Sequence, residues 1–265
     1  MSFLSLENKT FLITGVANKK SVAYFTALTL IEEGAKIILS VQTEDHMGMV
    51  KKLFPSSEVY VCNVEDENSI NLLKKNLGQK EIKLSGMLHS IAFANFSEGL
   101  KPFHETKVAD FLQATNISCF SLVTLSNALK EIFTDDASIV TVSISNTKAT
   151  AYGYLGPIKA ALDTTVCYLA KSFSEFSNIR FNAVCAGPLK TSASAGIPEY
   201  VDNYLFAEQL TMRKAALKTS EVANTITFLL SPAASGINAG NIVIDAGMSS
   251  NYFDQKVVKS LSKSL

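Results

Sequence analysis

The 265-residue chain has no tryptophan, only three histidines and four cysteines, and no net charge, because 24 Lys and Arg are balanced by 24 Asp and Glu. Cys62, Cys119, Cys167 and Cys185 lie far apart and form no CxxC pair, so buried free thiols in a reducing compartment are the simpler reading. His46, His89 and His104 share no ligand spacing with one another or with the cysteines, and no metal site is expected. The absent net charge argues against nucleic acid as the main partner. No run approaches the roughly 18 apolar residues of a membrane span. The start, Met1-Ser2-Phe3-Leu4-Ser5-Leu6-Glu7, lacks the basic-then-apolar layout of a signal peptide. A cytoplasmic globular protein with no membrane partner is expected.

What is present is alternation. Apolar runs at Thr10–Gly15, Lys36–Val41, Glu58–Cys62, Gly86–Ala92, Ala137–Ile144, Ile179–Cys185 and Asn241–Asp245 read as strands. Helical stretches fill the gaps, notably 21–33, 66–76, 106–133, 153–175 and 219–230. Buried strands interleaved with helices predict an α/β fold: a doubly wound, Rossmann-type parallel seven-stranded sheet with helices on both faces. No linker, repeat or low-complexity segment divides residues 1–265, so one dinucleotide-binding domain is expected. Ligands of such sheets bind at the carboxyl ends of the strands. Gly15, Gln42, Asn63, Ile91–Ala94, Ser143–Ser145 and Gly187 all fall at such ends.

Two segments carry the chemistry. Gly15-Val16-Ala17-Asn18-Lys19-Lys20-Ser21-Val22-Ala23 has one turn glycine and a serine able to cap the next helix, where a pyrophosphate could be held. It is not GxGxxG, and an ordinary capped loop reads equally well from these residues. Strand two ends in neutral Gln42 rather than an acid, and no Arg or Lys lies in 40–46 to meet a 2′-phosphate. NADH is therefore favoured over NADPH, although Lys51 and Lys52 could reach back. In the second segment Tyr152 and Lys159 stand seven positions apart, nearly two turns at about 100° per residue. On a shared helix face the ammonium would pull the phenol's pKa down and equip it to stabilise an oxyanion. Pro157 requires the helix to begin near Gly153 or Tyr154, which leaves Tyr152 at the cap.

Together these residues resemble the enoyl-acyl-carrier-protein reductases, a divergent branch of the short-chain dehydrogenase/reductases, from about Leu6 to Met248. The most specific parts are Gly15-x5-Ser21-Val22-Ala23, His89-Ser90-Ile91-Ala92-Phe93-Ala94, Tyr152-x6-Lys159 and Ala186-Gly187-Pro188-Leu189-Lys190-Thr191. The resemblance implies that Tyr152 hydrogen-bonds the thioester carbonyl and Lys159 holds the nicotinamide ribose. It implies that Gly15, Ser21, Val22, Gln42, Asn63, Val64, Ile91 and Leu189 line NAD, with Thr191 near the pyrophosphate and Ala94 beside the substrate. The implied reaction is hydride transfer from NADH to the β-carbon of a trans-2-enoyl thioester on acyl carrier protein, in fatty acid biosynthesis, by a homotetramer.

The chain departs from the family pattern at several positions. Ile144 stands at the substrate site where many members carry a second tyrosine, which would leave Tyr152 to act alone. Ala92 replaces a common glycine beside the nicotinamide, and Asn63 an aspartate by the adenine. The mouth, Gly196–Asn203, carries acids where relatives carry the bases that greet the carrier protein. Arg213, Lys214 and Lys218 could substitute, as could the tail 251–265, where Lys256, Lys259 and Lys263 share one face and Val257, Val258, Leu261 and Leu265 lie largely opposite. Residues 191–217, with small residues at 192–196, read as a substrate-binding lid. A CoA-linked or other enoyl substrate, and a non-catalytic dinucleotide-binding homologue, are the alternative readings.

Overall fold

The computed structural model describes residues 2–191, 194, 196–198 and 200–262. Seven strands, β1 (Thr10–Thr14), β2 (Lys36–Val41), β3 (Glu58–Val61), β4 (Leu84–His89), β5 (Phe133–Ile144), β6 (Arg180–Ala186) and β7 (Asn241–Ile244), form one sheet. Its order is β3-β2-β1-β4-β5-β6-β7, and every pairing is parallel. Winding reverses between β1 and β4, which opens a crevice at their carboxyl ends.

Both faces are covered, which is why the strands read as unbroken apolar runs. Leu12 of β1 joins the core beneath α3 (Glu67–Gln79), α5 (Ser121–Leu129) and α6 (Leu155–Phe173). Its neighbours Phe11 and Ile13 point the other way, beneath α1 (Val22–Glu32), α2 (Glu44–Leu53) and α8 (Thr219–Leu230). Strand β5 begins at Phe133 rather than at the expected Ala137, because Leu84 pairs with Phe133 before the register shifts at Gly86.

The expected helix 106–133 is α4 (Val108–Thr115), a π-turn over Asn116–Phe120 and α5. Contrary to the expectation that no segment is apolar enough, this continuous Val108–Leu129 helix meets the length and composition of a membrane span. Ala114, Ile117, Cys119, Leu122, Leu125 and Leu129 nevertheless put one of its faces in the sheet's core. The remaining helices are α7 (Tyr200–Leu210) and α9 (Gln255–Ser262).

Candidate active site

One cleft of about 580 Å³ runs along the carboxyl ends of β1 to β6. It brings together Gly15, Ser21, Val22, Gln42, Asn63, Val64, Ile91, Ala92, Ala94, Ile144, Tyr152, Lys159, Leu189 and Thr191, every residue that the sequence marked for cofactor or substrate. The four cysteines are free, and among the described residues no group of three His, Cys, Asp or Glu could hold a metal ion.

Backbone shapes the β1 end. Gly15 adopts φ +80°, and a Cβ there would lie 1.9 Å from the Ser90 carbonyl oxygen, so two strand ends meet at a contact only glycine allows. Ser21 is the N-cap of α1; its hydroxyl accepts from the Tyr24 N–H at 3.2 Å and donates to the Asn18 carbonyl at 2.9 Å. Thr43 caps α2 in the same manner, with Glu44 and Asp45 in the first turn and Lys51 and Lys52 in the last. Seven residues of helix from Glu44 to Lys51 span about 10 Å at 1.5 Å per residue. The lysines therefore sit at the far end of α2, and neither lines the cleft that Gln42 borders.

The catalytic stretch departs from the expected geometry. Tyr152 ends a 3₁₀ turn (Thr150–Tyr152), and Gly153 follows at φ 60°, ψ −148°, which breaks the chain's helical course before α6. Pro157 lies in the first turn of α6 as its missing N–H requires. Tyr152 and Lys159 therefore meet in the cleft from separate elements and not along one helix face.

Nor does Lys159 lower the phenol's pKa. Its ammonium is buried and donates to the Val142 carbonyl at 2.8 Å. Burial pushes Lys159 down to about 8, with Asp163, one turn further along α6, opposing the shift. Tyr152 is raised above the ordinary phenol value, chiefly by burial and further by the charge and hydrogen bonding of Tyr200. A phenol so placed stays protonated and donates. His89, buried between the Thr141 hydroxyl (2.9 Å) and the Ser121 hydroxyl (2.8 Å), is driven down to about 3 by burial and stays neutral.

The loop after β4 is pinned from the π-turn. The buried Ser118 hydroxyl accepts from the Phe93 N–H and donates to the Phe93 carbonyl, both at 2.9 Å, so one side chain fixes the backbone between Ala92 and Ala94. The Tyr154 hydroxyl donates to the Asn95 carbonyl at 3.0 Å, and its ring packs against Phe96.

Sequence reasoning missed Tyr200. It was read as part of an acidic segment, yet Tyr200, Tyr204 and Ala207 recur at helical spacing and form the buried face of α7. The Tyr200 hydroxyl accepts from the Leu189 N–H at 2.8 Å and donates to the Leu189 carbonyl at 3.0 Å. Its ring stands edge-on to that of Tyr152, with centroids 6.5 Å apart. Ser194, also unanticipated, donates to the same carbonyl at 2.7 Å and accepts from the Thr191 N–H. Of the small-residue run proposed for the lid, Ser192, Ala193 and Ala195 lie outside the described residues, as does the acidic Glu199.

Two of the bases offered for carrier docking are already engaged. Arg213 makes a two-pronged contact with Glu221 at 2.6 Å for each prong. Lys214 pairs with Asp254 and donates to the Gln209 carbonyl. Asn251 donates to both the Leu210 carbonyl (2.8 Å) and Asp254 (2.9 Å), fastening the start of the tail to the end of α7. In the tail, Lys256 and Lys259 fall on α9, whereas Lys263 and Leu265 lie outside the described residues.

Comparison with known proteins agrees with this geometry. Residues 15–249 match the family model described as enoyl-(acyl carrier protein) reductase. The enoyl-[acyl-carrier-protein] reductase [NADH] of Nostoc is 34% identical over 92% of this chain and 97% of its own. The enzyme of Staphylococcus aureus named for NADPH is 33% identical over 92% and 98%. The crystal structure of the NADH enzyme of Aquifex aeolicus superposes with a TM-score of 0.88 at 32% identity, covering 92% of this chain and 97% of that one. With residues 15–249 matched by that family model and relatives above 30% identity along its length, the chain belongs to the enoyl-(acyl carrier protein) reductase family.

Proposed function

We propose that this protein reduces the trans-2 double bond of enoyl thioesters on acyl carrier protein with NADH, in fatty acid biosynthesis. The observation that carries the reading is the convergence of a protonated, partly buried phenol (Tyr152) and a buried amine (Lys159) on one cleft with the backbone cradle at Gly15. The cradle suits a dinucleotide: Gly15 lets the ends of β1 and β4 close together at the floor of the cleft, and α1 presents its capped N-terminus there. Gly15, Ser21 and Val22 would hold the pyrophosphate end, with Thr191 nearby. Gln42, Asn63 and Val64 would hold the adenosine, while Ile91, Ala92, Lys159 and Leu189 would hold the nicotinamide riboside. When bound, NADH supplies a hydride to the β-carbon. As the double bond accepts it, negative charge grows on the thioester oxygen, the Tyr152 O–H donates a hydrogen bond to that oxygen, and the enolate then takes a proton at its α-carbon to complete the reduction. Lys159 fixes the ribose and contributes positive charge while it stays protonated. Ala94 and Ile144 border the acyl chain.

The acidic first turn of α2 supports NADH over NADPH. Glu44 and Asp45 stand beside Gln42, where a 2′-phosphate would meet like charge, and Lys51 and Lys52 are a helix length away. The decisive assay is NADH consumption with crotonyl and dodecenoyl thioesters. Wild-type turnover is expected, with kcat lowered about 100-fold or more in Tyr152→Phe, the scale of one lost oxyanion donor. An enzyme that binds NADH and reduces no enoyl thioester of any chain length refutes the proposal.

A CoA-linked substrate is the second reading, because Asp202 at the mouth and the pairing of Arg213 and Lys214 within the protein count against docking of an acidic carrier protein. Matched CoA and carrier-protein esters separate the two. The reading extends to residues 1–265 as one dinucleotide-binding reductase domain, with 191–217 as substrate loop and 251–265 as tail. It also extends to a cytoplasmic homotetramer, for which the exposed Val108, Leu112, Phe120 and Tyr168 on α4, α6 and the π-turn supply apolar contact surface.

A further inference from the structure

We infer that Tyr200 is a positioning residue for Tyr152, supplying from α7 the second phenol that the strand position Ile144 lacks. The inference rests on the reading of Tyr152 as the proton-donating group.

The hydrogen-bond inventory defines the role. A tyrosine hydroxyl has one proton and two lone pairs. The proton of Tyr200 goes to the Leu189 carbonyl and one lone pair takes the Leu189 N–H; the neighbouring Ser194 hydroxyl spends its own proton on the same carbonyl, so one acceptor position is left. The group beside it in the cleft is Tyr152, whose ring meets that of Tyr200 at an interplanar angle of 82°. Tyr200 can therefore receive the Tyr152 proton but has none of its own left to give. That one-way contact holds the Tyr152 O–H within the cleft until a substrate oxygen takes it over.

From β5, Ile144 offers only a branched hydrocarbon to the same cavity and no such acceptor. The clamp also links two segments. Leu189 follows β6, Tyr200 opens α7, and Ser194 between them ties to the same carbonyl. The anchoring of Leu189 and the alignment of Tyr152 thus share one oxygen. The ionisable groups around the Tyr152–Tyr200 pair are Lys159 of α6, facing the same cleft, and Tyr204 one turn along α7.

The test removes the hydroxyl and keeps the ring, in Tyr200→Phe, with Tyr200→Met as a second hydroxyl-free variant. In steady state kcat is expected to fall roughly tenfold, the rate equivalent of one hydrogen bond. In the Tyr152→Phe background the same substitution is expected to cost almost nothing, because its effect passes through Tyr152.

A second readout needs no turnover. With a polyfluorinated tyrosine installed at position 152 to bring its ionisation into range, fluorine NMR titration of the ligand-free protein should show a lower pKa when Tyr200 is Phe. An unmoved titration overturns the proposal, as does a tenfold loss that persists in full when Tyr152 is already Phe. Because the titration uses no substrate, it judges Tyr200 even if the enoyl reductase reading fails.

Discussion

The two ends of the cleft are built from different materials. At the β1 end the shaping groups are backbone: the bare Cα of Gly15 against the Ser90 carbonyl, and the capped N-terminus of α1. At the β5–β6 end they are side chains delivered by separate segments, with Tyr152 from a 3₁₀ turn, Lys159 from α6, Ile144 from β5 and Tyr200 from α7. A backbone cradle is fixed by two or three neighbouring residues and admits almost no substitution. A cluster of side chains depends on tertiary closure, and its members can trade places: a phenol missing from a strand can be delivered by a helix.

The sharpest way to break this contrast is Gly15→Ala. Positive φ and a 1.9 Å approach to the Ser90 carbonyl together should destabilise the fold by roughly 3 kcal/mol or more. Urea unfolding measures the loss, and NADH fluorescence should show no binding by whatever remains folded. Wild-type stability and binding in this variant would mean that the first end is as tolerant as the second.

Next in size is the pH response of Lys159. Its amine is held at about 8 against an ordinary 10.5, so the ammonium is present below that pH and lost above it. The catalytic rate should fall about tenfold per pH unit on the alkaline side of pH 8. Stability should move the opposite way. Between about 8 and 10.5 the unfolded chain binds the proton that the folded chain has released, so this group's contribution to stability rises with pH. Thermal melts of wild type against Lys159→Met isolate that contribution, and the variant should lack the rise.

The smallest effect is expected at the adenosine end. Replacing Glu44 and Asp45 by their amides should raise the preference for NADPH over NADH by about three- to fivefold, since exposed charges act through solvent. Paired KM measurements with the two coenzymes read it directly.

The same contrast accounts for what could be read from the sequence. Parallel strands covered on both faces announce themselves as apolar runs, and residues at their carboxyl ends share one crevice by topology; fourteen marked positions therefore fall in one cleft. Gly15 and Ser21 were legible because a turn glycine and an N-cap are local devices. The break at Gly153 was not, because it takes φ 60° to see that Tyr152 leaves the helix on which the spacing argument relied. The expected fall in the Tyr152 pKa failed for a related reason. Burial and the company of Tyr200 are tertiary properties, and they outweigh an ammonium that is turned toward Val142. The π-turn at Asn116–Phe120 leaves no mark in the apolar pattern, yet it carries the serine that grips Phe93.

The clasp of Asn251 and Asp254 on Leu210 and Lys214 reaches beyond the tail itself. It makes residues 251–254 a brace for the end of α7, whose opening residue Tyr200 lines the cleft, so a contact outside the cleft bears on one of its walls. Cutting the chain back past Asp254 would release the end of α7, and the Lys256 and Val257 N–H groups that donate to the Asp254 carboxylate belong to the same brace.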